Sequence, residues 1–99
     1  MNETNIDNIE NILSSMNRRN LAFVKLDRET DIYSFIHMVL CKVGGENKIE
    51  PDEYIEGDYY MGQRLQHKLI IPLNVIVTPY GEFEIGESED HMEFSIYKR

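Results

Sequence analysis

His37 and Cys41 stand four residues apart in "IHMVLC", a spacing that on a helix lets imidazole and thiol share a metal ion, or lets the imidazole activate the thiol. No third or fourth ligand lies nearby in sequence. His37 sits between Ile36 and Met38, so the expectation is a partly buried histidine beside an inert core cysteine. His67 and His91 would reach this pair only through tertiary contact. The second candidate is "EPDEYIEGDYY", residues 50–60, which holds five carboxylates and three tyrosines without a basic side chain. A calcium loop of the EF-hand type places oxygen ligands at alternate positions, a glycine sixth and a glutamate twelfth. Counting from Asp52, Gly57 is sixth, but Tyr54 stands third and Gln63 twelfth, so the motif fails. What remains is a looser cation site from Asp52, Glu53, Glu56 and Asp58, weighed against a solvated loop. The loop is the simpler reading, and no metal or cofactor is expected.

"PD" at 51–52 followed by "QHK" at 66–68 faintly resembles the PD-(D/E)xK nucleases, in which acids hold Mg²⁺ and a lysine orients the attacking water. The resemblance implies metal binding by Asp52 and assistance by Lys68. It covers five residues, and Gln66 stands where the family has its second acid. A strongly acidic surface also repels a nucleic-acid substrate. No phosphate-cradling glycine loop, G-x-S-x-G elbow, H-E-x-x-H or paired C-x-x-C occurs, so nothing in the sequence argues positively for an enzyme.

The net charge of −8 is unevenly distributed. Residues 1–45 sum to −1, 46–63 to −5 and 64–99 to −2, with the acids of the last segment confined to 82–93. Two acidic patches therefore stand out, and each also has a plain explanation in solubility. Such a field repels nucleic acid and anionic membrane and attracts basic protein surfaces. Tyrosines among the carboxylates add area and hydroxyls of the kind found at interface centres. The candidate partner-binding residues are Glu50, Asp52, Glu53, Tyr54, Glu56, Asp58, Tyr59 and Tyr60 in the first patch, and Glu82, Glu84, Glu87, Glu89, Asp90 and Glu93 in the second. Carboxylates at this spacing are comparable with backbone phosphates. The expected function is a non-enzymatic acidic protein-binding module, of the kind phages and viruses use as inhibitors, occupying a basic nucleic-acid-binding site on its partner. A small metal-dependent nuclease is the alternative. So is a self-associating structural protein, whose tyrosines complete the core or a homodimer seam.

The single cysteine excludes an internal disulfide, and the opening residues lack the pattern of a secretory signal, so the expected compartment is the cytoplasm, or a host's cytoplasm if the protein is viral. "LIIPLNVIV" at 69–77 is too short and too interrupted to span a bilayer as a helix.

The elements that must position these residues amount to an α+β domain over 1–99: two helices packed on one face of a small, mainly antiparallel sheet of about four to five strands. Ile6, Ile9, Ile12, Leu13 and Met16 draw one helical stripe, with Thr4 and Asp7 as cap and an end near Asn17–Asn20. "LAFVKL" reads as a strand. Ile32, Phe35, Ile36, Val39, Leu40 and Val43 line a second helix, capped by Asp27 or Thr30 and ended by Gly44-Gly45. Segment 46–63 lacks a period and reads as an acidic loop or short strands turning at Glu56-Gly57. Pro72 marks a bulge, edge or break in the β-rich run that follows. "TPYGE" is a tight turn. Setting Thr78 opposite Glu82 pairs Val77 with Phe83 and Val75 with Ile85, with Ile76, Glu82 and Glu84 on the other face. "GESED" turns again into "HMEFSIYK", whose Met92, Phe94 and Ile96 share one side.

Overall fold

The computed structural model describes residues 6–99, and for residues 58–60 the backbone only. A 3-10 turn, Ile6–Asn8, leads into α1 (Ile9–Ser15). There follow β1 (Leu21–Lys25), α2 (Ile32–Val43), β2 (Glu46–Tyr60), β3 (Gln63–Thr78), β4 (Gly81–Glu87) and β5 (Glu93–Lys98). The strands form one antiparallel sheet in the order β1-β5-β4-β3-β2, and the class is α+β.

α2 carries the inner side of the helical layer because Phe35, Ile36 and Val39 recur at helical spacing and are all buried. Its N-cap is Asp31, not Asp27 or Thr30. One Asp31 oxygen accepts from the Ser34 amide at 2.8 Å and the other from the Ser34 hydroxyl at 3.0 Å, whereas Thr30 donates its own hydroxyl to the Arg28 carbonyl. The helix ends as its glycines suggest. Gly44 has φ +80° and returns its amide to the Leu40 carbonyl at 2.8 Å. Gly45, at φ +124°, passes so close to β3 that a Cβ there would lie 2.0 Å from the Val77 oxygen. α1 is shorter than its apolar stripe, stopping at Ser15, and the Thr4 half of its expected cap lies outside the described residues.

Ile9, Leu13 and Met16 of the first helical layer and Phe35, Ile36 and Val39 of α2 close over Val24, Ile76, Phe83, Ile85, Phe94 and Ile96 from the sheet. The rings of Phe35 and Phe94 stack at 4.2 Å between centroids with 6° between planes, joining the two layers at their middle.

The β3–β4 register differs by one residue from expectation. Thr78 pairs with Gly81, so Ile76 faces Phe83 and Asn74 faces Ile85, while Val75 and Val77 lie opposite Glu84 and Glu82 on the side of the sheet away from the helices, where Val75 is nonetheless fully buried. The cause is the length of the turn. Two residues, Pro79 and Tyr80, span it, and the Thr78 hydroxyl accepts from the Tyr80 amide at 3.1 Å and donates to the Gly81 carbonyl at 3.0 Å. One residue of register moves every side chain to the opposite face. β5 meets expectation, with Phe94 and Ile96 buried.

Segment 46–63 is neither loop nor short strands. β2 runs unbroken from Glu46 to Tyr60, passes straight through Glu56-Gly57, and turns only at Met61-Gly62. Both turn residues have positive φ, +48° and +79°, as a two-residue type I′ hairpin turn requires.

A projecting β-arm as the candidate functional site

β2 and β3 pair over fifteen rungs, from Glu46–Val77 to Tyr60–Gln63, but β4 accompanies β3 only from Asn74 to Thr78. Beyond that the hairpin continues alone as a two-stranded arm, which accounts for the elongated outline of 52 × 26 × 23 Å. Pro51 lies directly opposite Pro72 where the arm leaves the body. Two prolines can share an antiparallel rung only where neither amide is used in the ladder, so both nitrogens point outward. Pro72 therefore offers β4 no donor, and Pro51 interrupts the outer edge of β2.

The register fixes which residues share a face. Ile76 belongs to the core, so the even-numbered β3 residues continue the helix side: Ile70 and Lys68, with Ile49, Glu53 and Ile55 from β2. The other side carries Ile71, Leu69, His67 and Leu65 from β3, with Asp52, Tyr54 and Glu56 from β2. Both sides are exposed and both are apolar. Ile55 is 65% and Ile70 67% exposed on the first, and Tyr54, Leu65, Leu69 and Ile71 are between 41% and 51% exposed on the second. A hairpin of this kind is marginal in water without a third strand or a covered face. Contiguous exposed apolar surface of this sort marks an interaction site. At the arm's root Ile49, Pro51, Ile70 and Pro72 line a shallow open depression.

The arm also separates charge by strand. β2 contributes Glu50, Asp52, Glu53, Glu56 and Asp58, whereas β3 from Gln63 to Thr78 contains no acid and supplies Arg64, His67 and Lys68. Lys68 pairs with Glu53 across the arm at 3.0 Å.

The candidate residues of the sequence divide accordingly. Asp52, Glu53, Tyr54 and Glu56 stand on the arm. Asp58, Tyr59 and Tyr60 lie at its tip on β2, their side chains outside those described. Glu50 at the arm's root meets Glu82 and Glu84 of β4 around Arg99, whose guanidinium is 2.7, 3.7 and 3.5 Å from their respective oxygens. The Arg99 guanidinium and the Lys48 ammonium, 3.1 Å away, hold the Glu50 carboxyl below its ordinary range. Glu87 ends β4, Glu93 opens β5, and Glu89 and Asp90 lie in the turn between them. There Asp90 accepts from the Ser88 hydroxyl and from the Met92 amide, which lowers its carboxyl too and makes it a turn residue. Glu87 lies 3.4 Å from His91. Much of the acidic surface is thus paired within the molecule.

The other chemical candidates are not assembled. His37 and Cys41 do meet on α2, with Nε2 to Sγ at 3.4 Å, but both are exposed, so neither the partly buried histidine nor the core cysteine is found. α2 turns its other flank to the core. Asp52 and Lys68 point to opposite faces of the arm, which separates the nuclease-like pair. Among the described residues no group of three or more His, Cys, Asp or Glu is placed to hold a metal. No helix among them is long and apolar enough to cross a membrane.

The sequence reading missed Ile55, Leu65, Leu69, Ile70, Ile71 and Arg99. The signal for the apolar set was the unalternating "LIIPL", a run apolar on both faces, which is equally the mark of a strand buried on both sides. No protein-family model, curated protein or solved structure matches the chain.

Proposed function

We propose that the protein is a non-enzymatic protein-binding module whose docking surface is the β2–β3 arm, with the acidic, tyrosine-bearing strand β2 directed at a basic and apolar protein surface. The observation that carries this reading is the arm itself. A long hairpin paired with no third strand exposes Tyr54, Leu65, Leu69 and Ile71 on one side and Ile55 and Ile70 on the other. Apolar anchors ringed by carboxylates supply affinity at the centre and steering at the rim. A reading in which the second acidic patch acts as a nucleic-acid mimic has less support, because Glu82 and Glu84 surround Arg99 and Asp90 caps a turn.

Capture by tagged protein, eluted in rising salt, tests the reading against two variants, Leu69→Asp and the pair Glu53→Lys with Glu56→Lys. The expected result is a basic protein or basic protein surface retained by the original chain and lost by both variants. Equal retention by all three would place the docking surface elsewhere.

A further inference from the structure

An apolar, acid-free surface of the kind β2 would engage is already present in the molecule, on β3. Between Leu65 and Ile71 that strand presents Leu65, His67, Leu69 and Ile71 to the open side of the arm and has no carboxylate. Resting on the binding role of the arm, we infer that its occupant is the arm of a second copy of this chain, stacked face to face about a two-fold axis that runs along the arm.

Three observations select this arrangement. The edges are guarded against pairing: Pro51 and Glu53 stand at outward-pointing rungs of β2, and Pro72, Lys68 and Arg64 at those of β3. Two-fold pairing of β2 with β2, or of β3 with β3, would also set like charges side by side. The faces are open. On the side away from the helices, no element among the described residues covers Tyr54, Leu65, Leu69 or Ile71. Two face-to-face stackings are then possible for identical ribbons. An axis across the arm at Tyr54 lays β2 over β2 in the opposite direction and brings Asp52 of each chain against Glu56 of the other, acid against acid. An axis along the arm lays each β2 over the other copy's β3. The rungs of the arm then correspond: Asp52 comes over Ile71, Tyr54 over Leu69 and Glu56 over His67 of the second copy. Tyr54 and Leu69 of both chains make one closed apolar cluster at the centre, with Glu56 and His67 at its rim. Such an interface is isologous and closes at two copies.

Sedimentation velocity and light scattering on the full chain test the inference, together with disulfide trapping in a Cys41→Ser background. The original chain is expected to be a dimer at about 100 μM, a concentration at which even a micromolar interface is nearly saturated. Leu69→Asp is expected to raise the dimer dissociation constant by at least about tenfold. Trapping gives a readout independent of any effect of that variant on the arm itself. A mixture of Tyr54→Cys and Leu69→Cys chains should oxidise to a mixed disulfide dimer, whereas Tyr54→Cys alone should cross-link poorly. A monomer at that concentration overturns the inference. So do species growing beyond two copies, which would signal edge-to-edge addition, and so does efficient Tyr54→Cys homodimer trapping, which would signal the crosswise axis. A monomer whose arm still retains a basic partner protein would sink the inference and leave the binding role of the arm standing. A dimer unaffected by Leu69→Asp would overturn the inference by placing the two-fold contact outside the open face of the arm.

Discussion

Arg99 stands among Glu50, Glu84 and Glu82 at 2.7, 3.5 and 3.7 Å, so one guanidinium holds together carboxylates contributed by β2 and β4. Its effect on Glu50 is to lower that carboxyl, and a carboxyl lowered by folding adds stability that is present above its ordinary range and lost as pH falls through the folded value. Arg99→Ala is therefore expected to melt below the original chain at neutral pH, with the gap closing on acidification. Added salt should also narrow the gap by screening the repulsion among Glu82, Glu84 and Glu50, of which, among the described residues, only Glu50 keeps a cation, Lys48, beside it. Thermal melts across pH and salt check both, and a gap constant with pH would show that Arg99 acts through packing alone. Two adjacent glycines allow a cleaner steric test. Gly44 and Gly45 both have positive φ, but a Cβ on Gly44 meets nothing within 4 Å, whereas on Gly45 it meets backbone at 2.0 Å. Gly44→Ala should cost about 1–3 kcal/mol, because φ +80° with ψ 161° is a backbone region nearly confined to glycine, and Gly45→Ala clearly more once a shift of β3 is added. Urea midpoints give the order, and equal costs would mean that β3 yields freely at Val77.

At the level of elements the arm and the body differ in what holds them. Within the body each strand gains from helices or from neighbours on both sides, but beyond the Pro51–Pro72 rung the arm has, among the described residues, only its own ladder. Hydrogen exchange in dilute solution is thus expected to leave the amides of β4 and β5 well protected while those of the arm exchange far sooner. The arm should slow selectively as concentration rises and a second copy covers it. Uniform protection at high dilution would contradict an arm that stands unsupported. This division also explains what the sequence could and could not disclose. The turn after Thr78 was visible only as a tight turn and not in its register, whereas α2 and β5 were legible because burial on one face imposes periodicity, as in Phe35, Val39, Phe94 and Ile96. β2 was illegible for the same reason. Its described side chains bury neither face in the core, so no alternation was imposed on "EPDEYIEG", and its only strand signal was the apolar partner strand paired with it. The one-residue error in the β3–β4 register has a different source: Val75, Ile76 and Val77 are equally apolar, and only the Thr78 hydroxyl bonding within the turn decides which of them faces the helices. Of the site, the acidic residues were visible and their partners were not, since Arg99 meets Glu50 across 49 positions of sequence.

For the molecule as a whole, the stability of the fold and the use of its surface are carried by different residues. The helical layer is joined to the sheet through one apolar cluster, in which Phe35 from α2 lies stacked on Phe94 from β5, both fully buried. A chain of this size has a total stability of about 5–15 kcal/mol, and truncating a buried phenylalanine to alanine removes about 3–5 kcal/mol. Phe35→Ala or Phe94→Ala is accordingly expected to lower the urea midpoint sharply and to leave a substantial unfolded fraction if the total is near the lower bound. Leu69→Asp removes a side chain that touches no core residue and is 41% exposed, so in dilute solution its midpoint should stay close to that of the original chain. Denaturation of all three at low concentration, followed by the same measurement on the original chain at high concentration, separates the two roles. The Phe35→Ala loss should be independent of concentration, whereas the original chain should gain stability over Leu69→Asp only where a second copy is available to cover the arm.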